Sequence, residues 1–118
     1  MDQDTAHYIV TYFFVLMPEN EKIAWKHYSS ILKLEGSNNP KMLDAYKRKG
    51  WITEDREILD LLEKGYEDFE IKTAKKILEN FPQKIIFNNC PKCNKLARTP
   101  YAKVCRFCGF NWHNSNSI

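Results

Sequence analysis

From Met1 to Asn89 the chain has no cysteine, and its four cysteines, Cys90, Cys93, Cys105 and Cys108, all fall within the stretch "CPKCNKLARTPYAKVCRFCG". A disulfide framework spread through the fold is thereby excluded. Glycine is scarce too, with four in 118 residues, and none sits in a Gly-rich loop of the kind that cradles phosphates. No HExxH helix and no nucleophile elbow occurs, so the common metallohydrolase and serine-hydrolase arrangements have no foothold. A long apolar run is also missing. The nearest approach, Tyr8 to Met17, contains Thr11 and is about half of what a bilayer-spanning helix requires. Ahead of it Met1-Asp2-Gln3-Asp4 carries no Lys or Arg, whereas a secretory signal begins with a basic stretch. A cytoplasmic location is expected, and in that reducing setting clustered cysteines serve as metal ligands rather than disulfides.

The composition that remains, 43% hydrophobic and 28% charged, suits a soluble globular protein. The length allows one compact domain with a small appended module. A net charge of +3 conceals two opposed segments. Residues 53–70 hold eight acids against Arg56 and Lys64, whereas residues 90–118 hold Lys92, Lys95, Arg98, Lys103 and Arg106 and no acid. The two segments are expected to attract each other.

Apolar periodicity predicts about five helices. Tyr8, Ile9, Tyr12, Phe13 and Leu16 form the stripe of the first, over Thr5 to Leu16. Pro18 and Gly36 bracket the second, with Ala24, Tyr28, Ile31 and Leu32 inward. Asn39 caps the third, which ends at Gly50 and turns Met42, Leu43 and Tyr46 inward. Thr53 caps the fourth, with Ile58, Leu61, Leu62 and Tyr66 along one face. A break near Gly65 separates it from the fifth, whose stripe is Ala74, Ile77, Leu78 and Phe81 and which Pro82 stops. No repeat or low-complexity tract appears apart from the polar tail "NSNSI", which is expected to fray. His7 and His27 read as core or boundary residues of the helices.

Two Cys-x-x-Cys turns eleven residues apart suit a tetrahedral ion, because each turn aims two sulfurs at one point while loop N–H groups face them. The residue after each pair often needs a left-handed backbone, and those positions hold Asn94 and Gly109. Zinc held by Cys90, Cys93, Cys105 and Cys108 is the expected cofactor, with His113 a conceivable substitute ligand and iron the second metal. About thirty residues bury too little apolar surface to fold alone, so the metal would supply folding energy on the order of 10 kcal/mol.

"CPKC" followed by "CRFCG" resembles a zinc ribbon over residues 85–113, and also resembles the two knuckles of rubredoxins, although Asn94 stands where a glycine follows the first rubredoxin knuckle. Joined to "YFFVLMPENEKIAWKHYSSILKLEG", it is similar to uncharacterised bacterial proteins that carry such a ribbon on a small helical domain. The resemblance implies an α+β fold: a helical domain over residues 1–83 and a zinc ribbon over 84–118, with short strands at "KIIFN", "KLART", "YAKVC" and "FNWH", three of them forming the ribbon.

Four thiolates close the metal shell and leave no site for water, so no enzyme is expected. Tyr101, Phe107, Phe110 and Trp112 interleave with Lys95, Arg98, Lys103 and Arg106, a mixture that holds phosphates while stacking on unpaired bases. A binding module for nucleic acid or a protein partner is the first expectation, with Arg98, Tyr101, Lys103, Arg106 and Trp112 as its contacts. A purely structural site in an intramolecular scaffold, the basic segment docked on acidic residues 53–70, is the alternative. A rubredoxin-like iron electron carrier is the third. No membrane partner is expected.

Overall fold

Asp2 opens the first helix, its carboxylate accepting the Thr5 N–H at 2.7 Å in place of the carbonyl a helix lacks there. The protein is seen in a computed structural model that describes residues 1–37 and 39–113; the tail expected to fray, residues 114–118, lies outside the described residues. Helix α1 spans Gln3–Tyr12 and passes through a 3-10 turn, Phe14–Leu16, into α2, Glu19–Glu35. Asn39 caps α3, Pro40–Arg48, by accepting the Lys41 N–H at 3.0 Å. Helix α4, Arg56–Asp60, is only one turn long and is capped by Asp55, not by Thr53. Thr53 instead accepts the Asp55 N–H. Gly65, at φ +95°, breaks the chain as expected, and α5 runs Tyr66–Asn80.

The principal packing is α1 against α5. Ala6, Tyr8, Ile9 and Val10 of α1 meet Ala74 and Ile77 of α5, with Met17 and Ile85 completing the cluster and Leu96 lying against it. A large aliphatic side chain fully removed from water contributes about 1.5–3 kcal/mol, so Ile9 and Ile77, both at 0% exposure, anchor this contact. A second cluster joins Ala24, Ile58 and Phe69, and Trp25 bridges the two. Helix α3 buries no residue, and Leu32 and Leu43, expected inward, are exposed. The loop after α3 is pinned to α2 by other means. Trp51 lies beneath Lys26 and Lys49, and the Thr53 N–H donates to His27 Nδ1 at 3.0 Å.

Two acids lie inside. Glu21, 5% exposed, takes Lys76 Nζ at 2.6 Å and ties α2 to α5. Glu70, 3% exposed, accepts from Gln3 Nε2 at 2.6 Å and meets His7 Nδ1 at 3.1 Å, so α1 and α5 share a polar contact beside their apolar one. Buried carboxylates need such partners, since an unpaired one costs several kcal/mol.

The expected α+β fold with a three-stranded ribbon is overturned. Among the described residues the regular elements are five α-helices and one 3-10 turn, with no strand. The cysteine segment makes two isolated antiparallel bridges, Asn89 with Leu96 and Val104 with Asn111. Hydrogen bonding explains the difference. In "KIIFN" the Ile86 carbonyl accepts from the Tyr8 hydroxyl at 2.6 Å and the Asn88 N–H donates to it at 3.2 Å, so a helix side chain takes the place of a neighbouring strand. In the connector the Asn88 amide donates to the carbonyls of Thr99 and Ala102, at 2.9 and 2.8 Å, and Pro100 has no N–H to offer a ladder. Among the described residues no helix is long and apolar enough to cross a membrane.

Candidate metal centre

Each Cys-x-x-Cys turn is closed by its own flanks. In the first knuckle the Ala97 N–H donates to the Asn88 carbonyl at 2.8 Å, Cys90 N–H to Lys95 at 2.9 Å, and Asn94 N–H to Cys90 at 2.9 Å. In the second, the Trp112 N–H donates to Lys103 at 2.8 Å, Cys105 N–H to Phe110 at 2.8 Å, and Gly109 N–H to Cys105 at 3.0 Å. The second set repeats the first fifteen residues later, bond for bond. Asn94 and Gly109 hold the expected left-handed backbone, at φ 63° and 77°. The tandem order Cys, Cys, Asn/Gly was visible in the sequence as "CPKCN" and "CRFCG", but with so few identical residues it does not stand out as a repeat.

The two turns face each other. All four sulfurs lie within 4.8 Å of one another, with Cys90 to Cys108 at 3.7 Å and Cys93 to Cys105 at 3.5 Å. Tetrahedral zinc with bonds of about 2.3 Å would set its sulfurs about 3.8 Å apart, so the donor set fits such an ion. A disulfide would need about 2 Å, and all four cysteines are free. The local backbone also prepares thiolates. Cys105 accepts the N–H groups of Cys108 and Phe107, and despite burial its thiol is held at about 6. At Cys90 burial acts upward, but the N–H groups of Cys93 and Lys92 outweigh it and hold that thiol below its ordinary value. At Cys93 the Lys95 N–H acts downward, yet burial and the neighbouring sulfurs push it up to about 11. Cys90 and Cys105 are thus poised to ionise before Cys93. His113 is not part of the cluster.

Cys90, Ala97, Cys105 and Trp112 form the small core of the knuckle pair. Trp112, expected as a stacking surface, is 6% exposed within that core and is closed to a base. Tyr101 is 82% exposed and Phe107 49%. Arg98 is exposed and Lys103 half-buried. Arg106 lies 3.6 Å from Asp4 at the start of α1. Among the described residues no ion pair joins the basic segment to residues 53–70, so the expected electrostatic docking on that acidic stretch is replaced by a single contact with α1. The cations gather elsewhere: Lys95 Nζ and Arg106 Cζ each stand 4.9 Å from the centre of the Phe107 ring. Asp4 is the residue of this region that carried no signal in the sequence, being far from the cysteines along the chain. No protein-family model matches the chain, and neither does any curated protein or solved structure.

Proposed function

We propose that this is a non-enzymatic zinc protein whose second knuckle presents an aromatic and cationic surface to single-stranded nucleic acid. The observation that carries the reading is the half-exposed Phe107 ring, with Lys95 Nζ and Arg106 Cζ each 4.9 Å from its centre, on a loop whose Phe107 and Cys108 N–H groups donate to the Cys105 sulfur. Ring and cations together suit a strand whose bases are unpaired, the ring for stacking and the cations for phosphates. Four sulfurs in one cluster give a metal a closed shell, which suits support of the loop rather than chemistry on a substrate. Intramolecular scaffolding is the competing reading, favoured by Leu96 lying against the helical core and by the Tyr8 bonds.

Elemental analysis of the purified chain is expected to give one zinc per molecule; iron with visible charge-transfer bands would move the electron-carrier reading to first place. Fluorescently labelled single strands of RNA and DNA, titrated from low to physiological salt, are expected to bind saturably and to weaken steeply as salt rises. Phe107→Ala should weaken binding of every strand. A zinc-loaded wild type with no saturable binding even at low salt would remove nucleic acid and leave the scaffold.

A further inference from the structure

Between the start of α1 and the two knuckles lies an open cleft of about 420 Å³, lined by Lys95, Leu96, Arg106 and Phe107 on one side and Asp2 and Asp4 on the other. That volume is within the usual range for a small-molecule site. Its charge pattern is unusual for a phosphate-binding groove, because carboxylates repel phosphodiesters. The two acids are not equivalent. Asp2 is committed as the helix cap, its oxygen taken by Thr5. Asp4 is 68% exposed in its side chain, and at 3.6 Å its contact with Arg106 is an ion pair longer than a hydrogen bond. Its oxygens keep free lone pairs facing a cleft that already contains an aromatic ring and two cations.

Resting on the nucleic-acid reading above, we propose that this cleft is a guanine subsite: Phe107 stacks on the base, Asp4 accepts from its Watson–Crick edge, and Lys95 with Arg106 holds the adjoining phosphate. The selectivity follows from donor geometry. A carboxylate is acceptor-only, with two oxygens side by side. Guanine offers two parallel donors on that edge, N1–H and the N2 amino group, and so makes a bidentate, charge-assisted pair. Adenine and cytosine each offer one amino group beside an acceptor, and uracil one N–H between two carbonyls; each sets an acceptor against a carboxylate oxygen. Lys95, on a flexible four-carbon stem, gives up its place over the ring to the incoming base and follows the phosphate. Arg106, 4.9 Å over the ring, likewise yields that place to the base and keeps its N–H groups for a phosphate oxygen.

The test uses the full zinc-loaded chain and labelled strands of equal length, all-adenine, all-cytosine or all-uracil, each with and without one central guanine, as RNA and as DNA. The central guanine is expected to tighten binding about tenfold, in keeping with a bidentate contact. Asp4→Asn, which puts an amide donor against a guanine donor, should abolish that preference while leaving strands without guanine bound as well as or better than before. With its side chain 68% exposed, Asp4 can be changed without loss of fold, which helical circular dichroism verifies. Unlabelled guanosine monophosphate is the competitor that separates sources: displacement at the same concentration as the strand assigns the subsite to a free nucleotide, and much weaker displacement assigns it to a strand. If guanine gives no advantage while strands still bind, the subsite is wrong and the nucleic-acid reading stands. If Asp4→Asn keeps the full preference, Asp4 does not read the base. If no strand binds, both fall.

Discussion

Replacing Tyr8 with phenylalanine removes one oxygen atom and isolates the joint between the helices and the knuckles. The Tyr8 side chain is 2% exposed, with the rings of Tyr12, Phe13 and Phe87 about it at 5.8 to 6.1 Å. Tyr8→Phe keeps that packing. What is lost is the pair of bonds to the Ile86 carbonyl and from the Asn88 N–H. A typical protein hydrogen bond contributes about 1 kcal/mol net, and a partner left dry costs about 1–3 kcal/mol more. Ile86 is 68% exposed, so water reaches its neighbourhood and offsets part of the loss, while Asn88 is less accessible. The sum is about 2 kcal/mol. For a chain of this length each kcal/mol moves the melting temperature by about 4 °C, which puts Tyr8→Phe about 8 °C below wild type.

A second readout locates the effect. Asn88 clamps the connector between the knuckles through Thr99 and Ala102, so loosening Asn88 should ease opening of the metal site. Release of zinc to a colorimetric chelator is expected to accelerate by up to about thirty-fold, the factor that corresponds to 2 kcal/mol. Urea unfolding and zinc release together decide the matter. A stability change under about 0.5 kcal/mol, the range of an inconsequential surface substitution, would refute the assignment of Tyr8 as the joint.

Two further perturbations follow from single residues. Gly109, at φ 77°, has open space where a Cβ would stand, so Gly109→Ala should cost about 1 kcal/mol from backbone conformation alone, and Gly109→Asn clearly less, because Asn94 already holds the same conformation; equal losses in denaturant titrations would show that something other than the left-handed backbone matters there. His27 is held below its ordinary value by burial, and its Nδ1 must stay unprotonated to accept the Thr53 N–H. Its folded pKa therefore lies under the unfolded value of about 6.5, so its contribution is complete above that pH and is lost as the pH falls through the interval below. Urea midpoints between about pH 5 and pH 8 should fall more for wild type than for His27→Asn, which keeps an acceptor but cannot take up a proton; parallel pH profiles would exclude His27 as the cause.

The helical part was legible where local chemistry decides structure. Asn39 as a cap, Gly65 as a break and the α5 stripe through Ala74 and Ile77 all act within a turn or two of chain. Burial that depends on a distant partner was not legible. Glu21 and Glu70 look like ordinary solvent-facing acids until Lys76, Gln3 and His7 arrive from other elements. Leu32 and Leu43 continue the apolar period of α2 and α3 and yet stay exposed. The strands failed for a related reason: β-rich composition at "KIIFN" shows that the chain is extended there, not what its N–H and carbonyl groups will meet. They meet the hydroxyl of Tyr8, eighty residues from Asn88. The four-cysteine cluster was legible because its geometry is contained in two short turns, whereas Asp4 beside Arg106 could be placed only by the fold.

The fifteen-residue repeat sharpens what the second knuckle is for, because matched positions share a backbone and differ only in side chain. Ala97 and Trp112 occupy equivalent places, and both face the common core, so the larger residue of one half fills the space left by the smaller residue of the other. Leu96 and Asn111 are equivalent too, but Leu96 lies against the helical core and Asn111 is exposed. The decisive pair is Lys92 and Phe107. A lysine at the outward tip suits water, as the first knuckle shows, and the metal cluster asks nothing of that side chain beyond its backbone N–H, which donates to the cysteine sulfur in both halves. Phenylalanine at the same point leaves half its surface in water without adding to the core, and cations from both knuckles gather on its face. Trp51 beneath Lys26 and Lys49 shows that such a group can pin a loop, so Phe107→Ala separates the two roles: a loss of stability alone assigns the ring to the fold, and a loss of strand binding at unchanged stability assigns it to a partner.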